Sequence, residues 1–385
     1  MTDRTKIPAF LVWVLFISAQ WAAADTAPKP SLSTSRLSAL KALRIETGSS
    51  VQGEVTLDGK DSSQQLAVTG LSSPDQEYDL TRSVTYAVQP TGIVQVNLSG
   101  VVLPISNGSA TITAKTENGF EASIKVRVTR FDQDLPLNFE RHIQPILTKF
   151  SCNSGSCHGK AGGQNGFALS LLAFEPKDDF QRLTQEGRGR RVSAALPDRS
   201  LLLLKPTSKV PHGGGTRLYA DSTSYRILQR WLSEGMPFGH ADDPQVVGIE
   251  VVPSVRMMPR QSEQQLIVIA QYSDGSTEDV TGMTQYESNT KELAQVNATG
   301  LVSTQEYTGS ASVMARYQGH VATFRAPIPL GAPVEKLPPS KNVIDDLVFR
   351  QLKAIGLPPS DICSDEVFFR RVTIDIAGRL PTPAE

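Results

Sequence analysis

Between Leu40 and about Arg130, apolar and polar residues alternate in short runs punctuated by glycine and asparagine. Ser83-Val84-Thr85-Tyr86-Ala87-Val88, Ile93-Val94-Gln95-Val96, Ala110-Thr111-Ile112-Thr113-Ala114 and Ser123-Ile124-Lys125-Val126-Arg127-Val128 each have period two. That period buries every second side chain of a strand, and several such runs at short spacing predict a β-sandwich. The pattern returns two hundred positions later: Val96-Asn97-Leu98-Ser99-Gly100-Val101-Val102 is matched by Val296-Asn297-Ala298-Thr299-Gly300-Leu301-Val302. Gly108-Ser109-Ala110 is likewise matched by Gly309-Ser310-Ala311, so the chain contains an internal duplication. In the second copy Asp274-Gly275 is a hairpin-turn signal between alternating flanks.

Between the copies the period changes. Phe139, Ile143, Ile146 and Leu147 fall at helical spacing, with Pro145 as a kink or start. Tyr225, Leu228, Trp231 and Leu232 share one face of a second helix, with Ser222 or Ser224 as N-cap and Gly235 closing it. Two helices with a cysteine–histidine motif just after the first, in about 105 residues, match the layout of a small class I cytochrome. Helical runs return at Val343 to Phe349 and Glu366 to Val372, after a Pro-rich linker.

The expected organisation is therefore a signal peptide at 1–24, a linker at 25–39, a first immunoglobulin-like β-sandwich at 40–130 and a mainly helical cytochrome c-like domain at 135–240. A second sandwich at 247–328, a linker at 329–342 and the start of a truncated helical domain at 343–385 complete it. Arg4 and Lys6, the apolar run from Phe10 to Ala19, and Ala22-Ala23-Ala24 before Asp25 make the export signal. The mature chain is expected to be exported, to the periplasm or cell surface, without a membrane span. With 38 basic and 39 acidic residues, no global field points to nucleic acid.

Chemistry concentrates in Cys152-Asn153-Ser154-Gly155-Ser156-Cys157-His158. Two thiols followed by a histidine are what covalent attachment of haem c requires, the imidazole lying under the iron as proximal ligand. The usual signature has two residues between the cysteines and this one has four; longer spacings occur in some c-type cytochromes. A Cys152–Cys157 disulfide and a zinc site are the alternatives. Arg190, within the basic run Gly187-Arg188-Gly189-Arg190-Arg191, is a candidate partner for a haem propionate. No Ser-His-Asp arrangement, paired carboxylate site or nucleotide loop is legible, and Cys363 is left over.

The sandwich copies resemble bacterial immunoglobulin-like domains of group 2, most clearly through Tyr272-Ser273-Asp274-Gly275-Ser276-Thr277-Glu278-Asp279-Val280-Thr281. Taken together, Cys152…Cys157-His158-Gly159-Lys160, Ser200-Leu201-Leu202-Leu203-Leu204-Lys205, Trp231-Leu232-Ser233-Glu234-Gly235-Met236-Pro237 and the tail Asp375-Ile376-Ala377-Gly378-Arg379-Leu380-Pro381-Thr382 resemble the N-terminal portion of a planctomycete-type cytochrome C-like protein. Where related cytochrome domains carry a Met-Pro pair, this chain has Pro211-His212-Gly213. The resemblance therefore implies His212 as sixth iron ligand, with Met236 or an open position as competitors. Its functional implication is single-electron transfer with an unnamed redox partner, the sandwiches acting as spacers. The other reading is a cell-surface adhesion protein that binds a polysaccharide or protein and whose cysteine pair is a structural disulfide.

Overall fold

The computed structural model describes residues 40–48, 53–73 and 76–385. The expected signal peptide and first linker lie outside these residues.

Each period-two region folds into small, mainly antiparallel sheets around its own core. In the first, Glu121–Thr129 pairs antiparallel with Gly108–Lys115 and parallel with Glu54–Asp58. Ala42–Glu46 pairs with Ala67–Ser73, and Val94–Val96 with Val101–Pro104. The second repeats the plan: Gly309–Tyr317 with His320–Ile328, Val246–Val252 with Ile267–Tyr272, Ala294–Val296 with Leu301–Thr304. The parallel strand of the first copy is reduced in the second to one bridge, Val255 to Arg325.

The duplication extends to individual hydrogen bonds. Asp79 Oδ1 accepts the Thr81 N–H (2.7 Å), and Asp279 Oδ1 accepts that of Thr281 (2.8 Å). Thr81 Oγ1 accepts from Val68 N and Thr281 Oγ1 from Val268 N, which satisfies a buried amide in each core. Asn97 and Asn297 each accept from backbone N–H groups two and four residues on, an Asx turn that fixes the tight connection between strands.

The two sandwiches are locked side by side in a nearly reciprocal contact. Asp279 Oδ2 accepts the Gln65 N–H (2.6 Å), and Asp79 Oδ2 accepts the Gln265 N–H. Ala67, Ile267 and Ile269 bury a small apolar patch between them. Arg256 crosses from the second sandwich to Glu46 and Glu77 of the first. The two copies form a single assembly here, because the equivalent strands meet and share buried hydrogen bonds.

That contact carries a pH dependence. Burial pushes Asp279 up to about 7, against the hydrogen bonds from Thr281 and Gln65 that pull it down. Its folded value thus lies above the unfolded value of about 4, so its contribution is complete at low pH and is lost as pH rises from about 4 towards 7. Thermal midpoints are expected to fall between pH 5 and pH 7.5, and Asp279→Asn to flatten that fall. An equal slope in both proteins would contradict the assignment.

Between the sandwiches lies a helical unit. A π-turn at Phe139–Ile143 leads into the helix Gln144–Lys149, where Pro145 occupies the first turn and needs no amide partner. The helices Pro176–Thr184, Leu201–Leu204 and Thr223–Ser233 follow, the last capped by Ser222, whose Oγ accepts from Tyr225 N. Phe139, Phe180, Trp231 and Phe238 form its aromatic centre, with ring centroids 5.2–6.3 Å apart. The unit is seated on the second sandwich. Arg141 pairs with Glu278 (2.8 Å) over the Tyr272 ring, and Lys149 Nζ donates to the carbonyls of Thr284 and Ala298. Arg230 reaches Asp61 of the first sandwich at 2.9 Å.

The tail forms two helices, Val343–Ile355 capped by Asn342, and Asp365–Ala377. Among the described residues, no helix is long and apolar enough to cross a membrane.

Candidate ligand pocket

The helix Gln144–Lys149 ends at Phe150, and Ser151 turns back with φ 60°. From there the chain coils on itself. Cys152 N donates to Leu147 O, His158 N to Cys152 O and Gly159 N to Ser154 O. Asn153 is buried in the middle of the coil and donates to Thr148 Oγ1 (2.8 Å), tying the loop to the helix before it. Only glycine fits at 159, because a Cβ there would lie 2.0 Å from the Asn153 carbonyl oxygen. Gly159→Ala is therefore expected to force the loop apart at a cost of about 1–3 kcal/mol, read as a lowered unfolding midpoint. A variant with the parent's midpoint would show that the coil is looser than its contacts indicate.

The coil forms one wall of a cavity of about 450 Å³. Ile146, Leu147, Phe150, Leu169, Leu183 and Leu228 give it an apolar interior. Cys152, Cys157, His158, His212 and Arg190, far apart in the sequence, all line it. Met236 does not. It packs into the aromatic core, and its N–H donates to Trp231 O (2.9 Å).

Both histidines have the same hydrogen-bond arrangement. His158 Nδ1 lies 2.9 Å from the Phe167 carbonyl, and His212 Nδ1 lies 2.8 Å from that of Gly215. A carbonyl can only accept, so Nδ1 is the donor in each ring, and the neutral tautomer with that donor has Nε2 as its acceptor. Burial lowers the His158 pKa, and the nearby charges of His212, Lys205 and Arg191 lower it further, which favours the neutral imidazole. The Phe167 ring lies tilted against that imidazole, with centroids 4.6 Å apart. Gly163 permits the approach, since a Cβ there would meet the Phe167 carbonyl oxygen at 2.2 Å.

Residues without a motif also shape the site. The buried Asp179 carboxylate accepts from Ser170 N, Ser170 Oγ and Gln144 Nε2, pinning the chain just beyond Leu169. Arg191, Lys205 and Arg217 join Arg190 on the lining. Asp179 and Arg217 carried no sequence signal. Arg191 was visible as part of a basic run, without a stated role.

Two expectations are corrected. Cys152 and Cys157 are free thiols in this structure, so the disulfide is not formed. A metal-binding centre built from the chain's own groups is also overturned: among the described residues, no three His, Cys, Asp or Glu side chains come together to hold a metal ion. Zinc binds thiolates, whereas burial pushes the Cys152 thiol up to about 11. The cysteines, with four residues between them, do not form the usual haem-attachment motif either.

No family model matches the chain. An S-layer-related protein from Niallia circulans is 35% identical over 91 residues, which are 24% of this chain and 6% of that relative. The chain thus matches a small part of that relative's length. Among solved structures, domains 5–6 of the S-layer protein SbsC cover 75% of this chain and 98% of their own (12% identity, TM-score 0.28). An intimin mutant from EHEC O157:H7 matches 24% of this chain and 48% of its own (17%, TM-score 0.18). Cadherin domains 3–6 of protocadherin gamma B2 match 74% and 50% (12%, TM-score 0.17). All three TM-scores are below 0.5, so these likenesses carry no argument.

Proposed function

We propose that this chain is an exported binding protein of the cell surface, in which a locked pair of β-sandwiches carries a helical unit that holds a ligand. The cavity is the observation that carries the reading: two thiols and two imidazoles with free Nε2 atoms line one apolar hollow. Its volume of about 450 Å³ lies within the range of small-molecule sites. The surface assignment draws on the 91-residue likeness to an S-layer-related protein. A surface polysaccharide or another protein is the class of partner for the sandwiches. Labelling of intact cells with a membrane-impermeant reagent is expected to modify the chain, and protection from it would contradict a surface position.

Two thiols and two imidazoles on one lining are the groups that would hold the haem c expected from the sequence, with four residues between the cysteines instead of the usual two. In that reading Cys152 and Cys157 would hold the group through thioether bonds. His158 and His212 would supply nitrogen ligands from their Nε2 atoms. Single-electron chemistry is what such a group supplies when bound. Expressed with cytochrome maturation machinery, the parent is expected to carry pigment that survives acid–acetone extraction. Cys152→Ser with Cys157→Ser is expected to lose it, and His158→Ala to keep the pigment with an altered spectrum. Pigment retained by the double serine variant would contradict the thioether attachment.

A further inference from the structure

We infer that the pocket selects a ligand bearing carboxylates, received by Arg190, Lys205 and Arg217; the inference rests on the pocket reading above. The charged residues on the lining are Arg190, Arg191, Lys205 and Arg217, and the described lining residues include no aspartate or glutamate. In a chain with 38 basic and 39 acidic residues, composition does not account for a lining of one sign.

The four cations have different duties. Arg191 builds the wall. Its guanidinium donates to the carbonyls of Arg182 (2.6 Å), Glu186 (2.9 Å) and Gly166 (3.0 Å), and lies 4.5 Å from the Phe167 ring centroid. Lys205 and Arg217 grip the loop that carries His212, donating to the carbonyls of Pro211 (3.3 Å) and Gly214 (2.8 Å). An ammonium has three donors and a guanidinium five, so each keeps further N–H groups for a ligand. Arg190 is exposed at the same cavity. Like charges gathered on an apolar hollow repel one another unless an anion joins them. A ligand with an apolar body and acidic ends answers both features. The body enters among the leucines, and the carboxylates meet the guanidinium forks and the ammonium.

The test uses the full chain produced without haem maturation and two metal-free probes, protoporphyrin IX and its dimethyl ester, titrated by quenching of tryptophan fluorescence. Each charge-assisted hydrogen bond contributes about 1.5–3 kcal/mol, so the diacid is expected to bind at least about tenfold tighter than the ester. That preference is expected to shrink with added salt, and to approach unity when Arg190, Lys205 and Arg217 are all replaced by glutamine. The salt series needs no variant, so it stands even if the triple variant misfolds. Equal binding of diacid and ester would overturn the carboxylate inference while leaving the pocket reading intact. Binding of neither probe would overturn both.

Discussion

Replacing Trp231 with alanine is expected to destabilise the helical unit by roughly 3–5 kcal/mol. The indole is fully buried, packs against Phe139 at 5.7 Å and Phe180 at 6.3 Å, and donates from Nε1 to the Pro237 carbonyl (2.9 Å). Truncation leaves a void at the centre of a small core and strips that carbonyl of its donor. The helices around it are short and held by this packing, so little else compensates. The effect reaches the pocket because Leu228, one turn earlier on the same helix, is part of its wall. Denaturant unfolding should show an early transition in the variant, with pigment or porphyrin binding lost in the same range. A loss below about 1 kcal/mol would mean that the aromatic cluster is not the centre of this unit.

Arg256→Ala is expected to cost roughly 3 kcal/mol and to separate the sandwiches. This side chain is 6% exposed and bridges Glu46 and Glu77 of the other copy. Removing it leaves two carboxylates facing each other at a covered contact. Arg44, which reaches Glu77 at 3.2 Å, compensates in part, but it is half exposed and its pairing is correspondingly weaker. Solution scattering is expected to show a larger radius of gyration than the parent, together with a lower unfolding midpoint. An unchanged radius and midpoint would show that the reciprocal aspartate hydrogen bonds and the apolar patch of Ala67, Ile267 and Ile269 hold the pair without the arginine.

The β-structure was legible because its code is local. Alternation in Ser83 to Val88 and Ser123 to Val128 sets which side chains face inward, and the Asn97 and Asn297 turns repeat at a fixed lag. The helix Thr223–Ser233 was legible for the same reason, since its apolar spacing and its Ser222 cap lie within one window. The contact between the sandwiches was not legible. Nothing within either copy says that the second oxygens of Asp79 and Asp279 accept from the other. In the pocket, the cysteines and His158 stood out as a motif, and His212 was named through a resemblance. Asp179, the Phe167 carbonyl and Arg217 were invisible, because their roles arise where segments distant in sequence meet. Met236 entered only as a competitor to His212. A methionine near the end of a helix is chemically able to ligate, but the turn places it in the aromatic core.

The measurement that bears most directly on the account is the intact mass of the exported chain, taken with its visible spectrum after expression beside a cytochrome maturation system. A mass raised by one covalently attached tetrapyrrole is expected, with both thiols consumed and Cys363 still free to alkylate. A chain of unmodified mass, or one lighter by two hydrogens through a Cys152–Cys157 bond, and without visible absorption, would contradict a ligand tethered in this pocket.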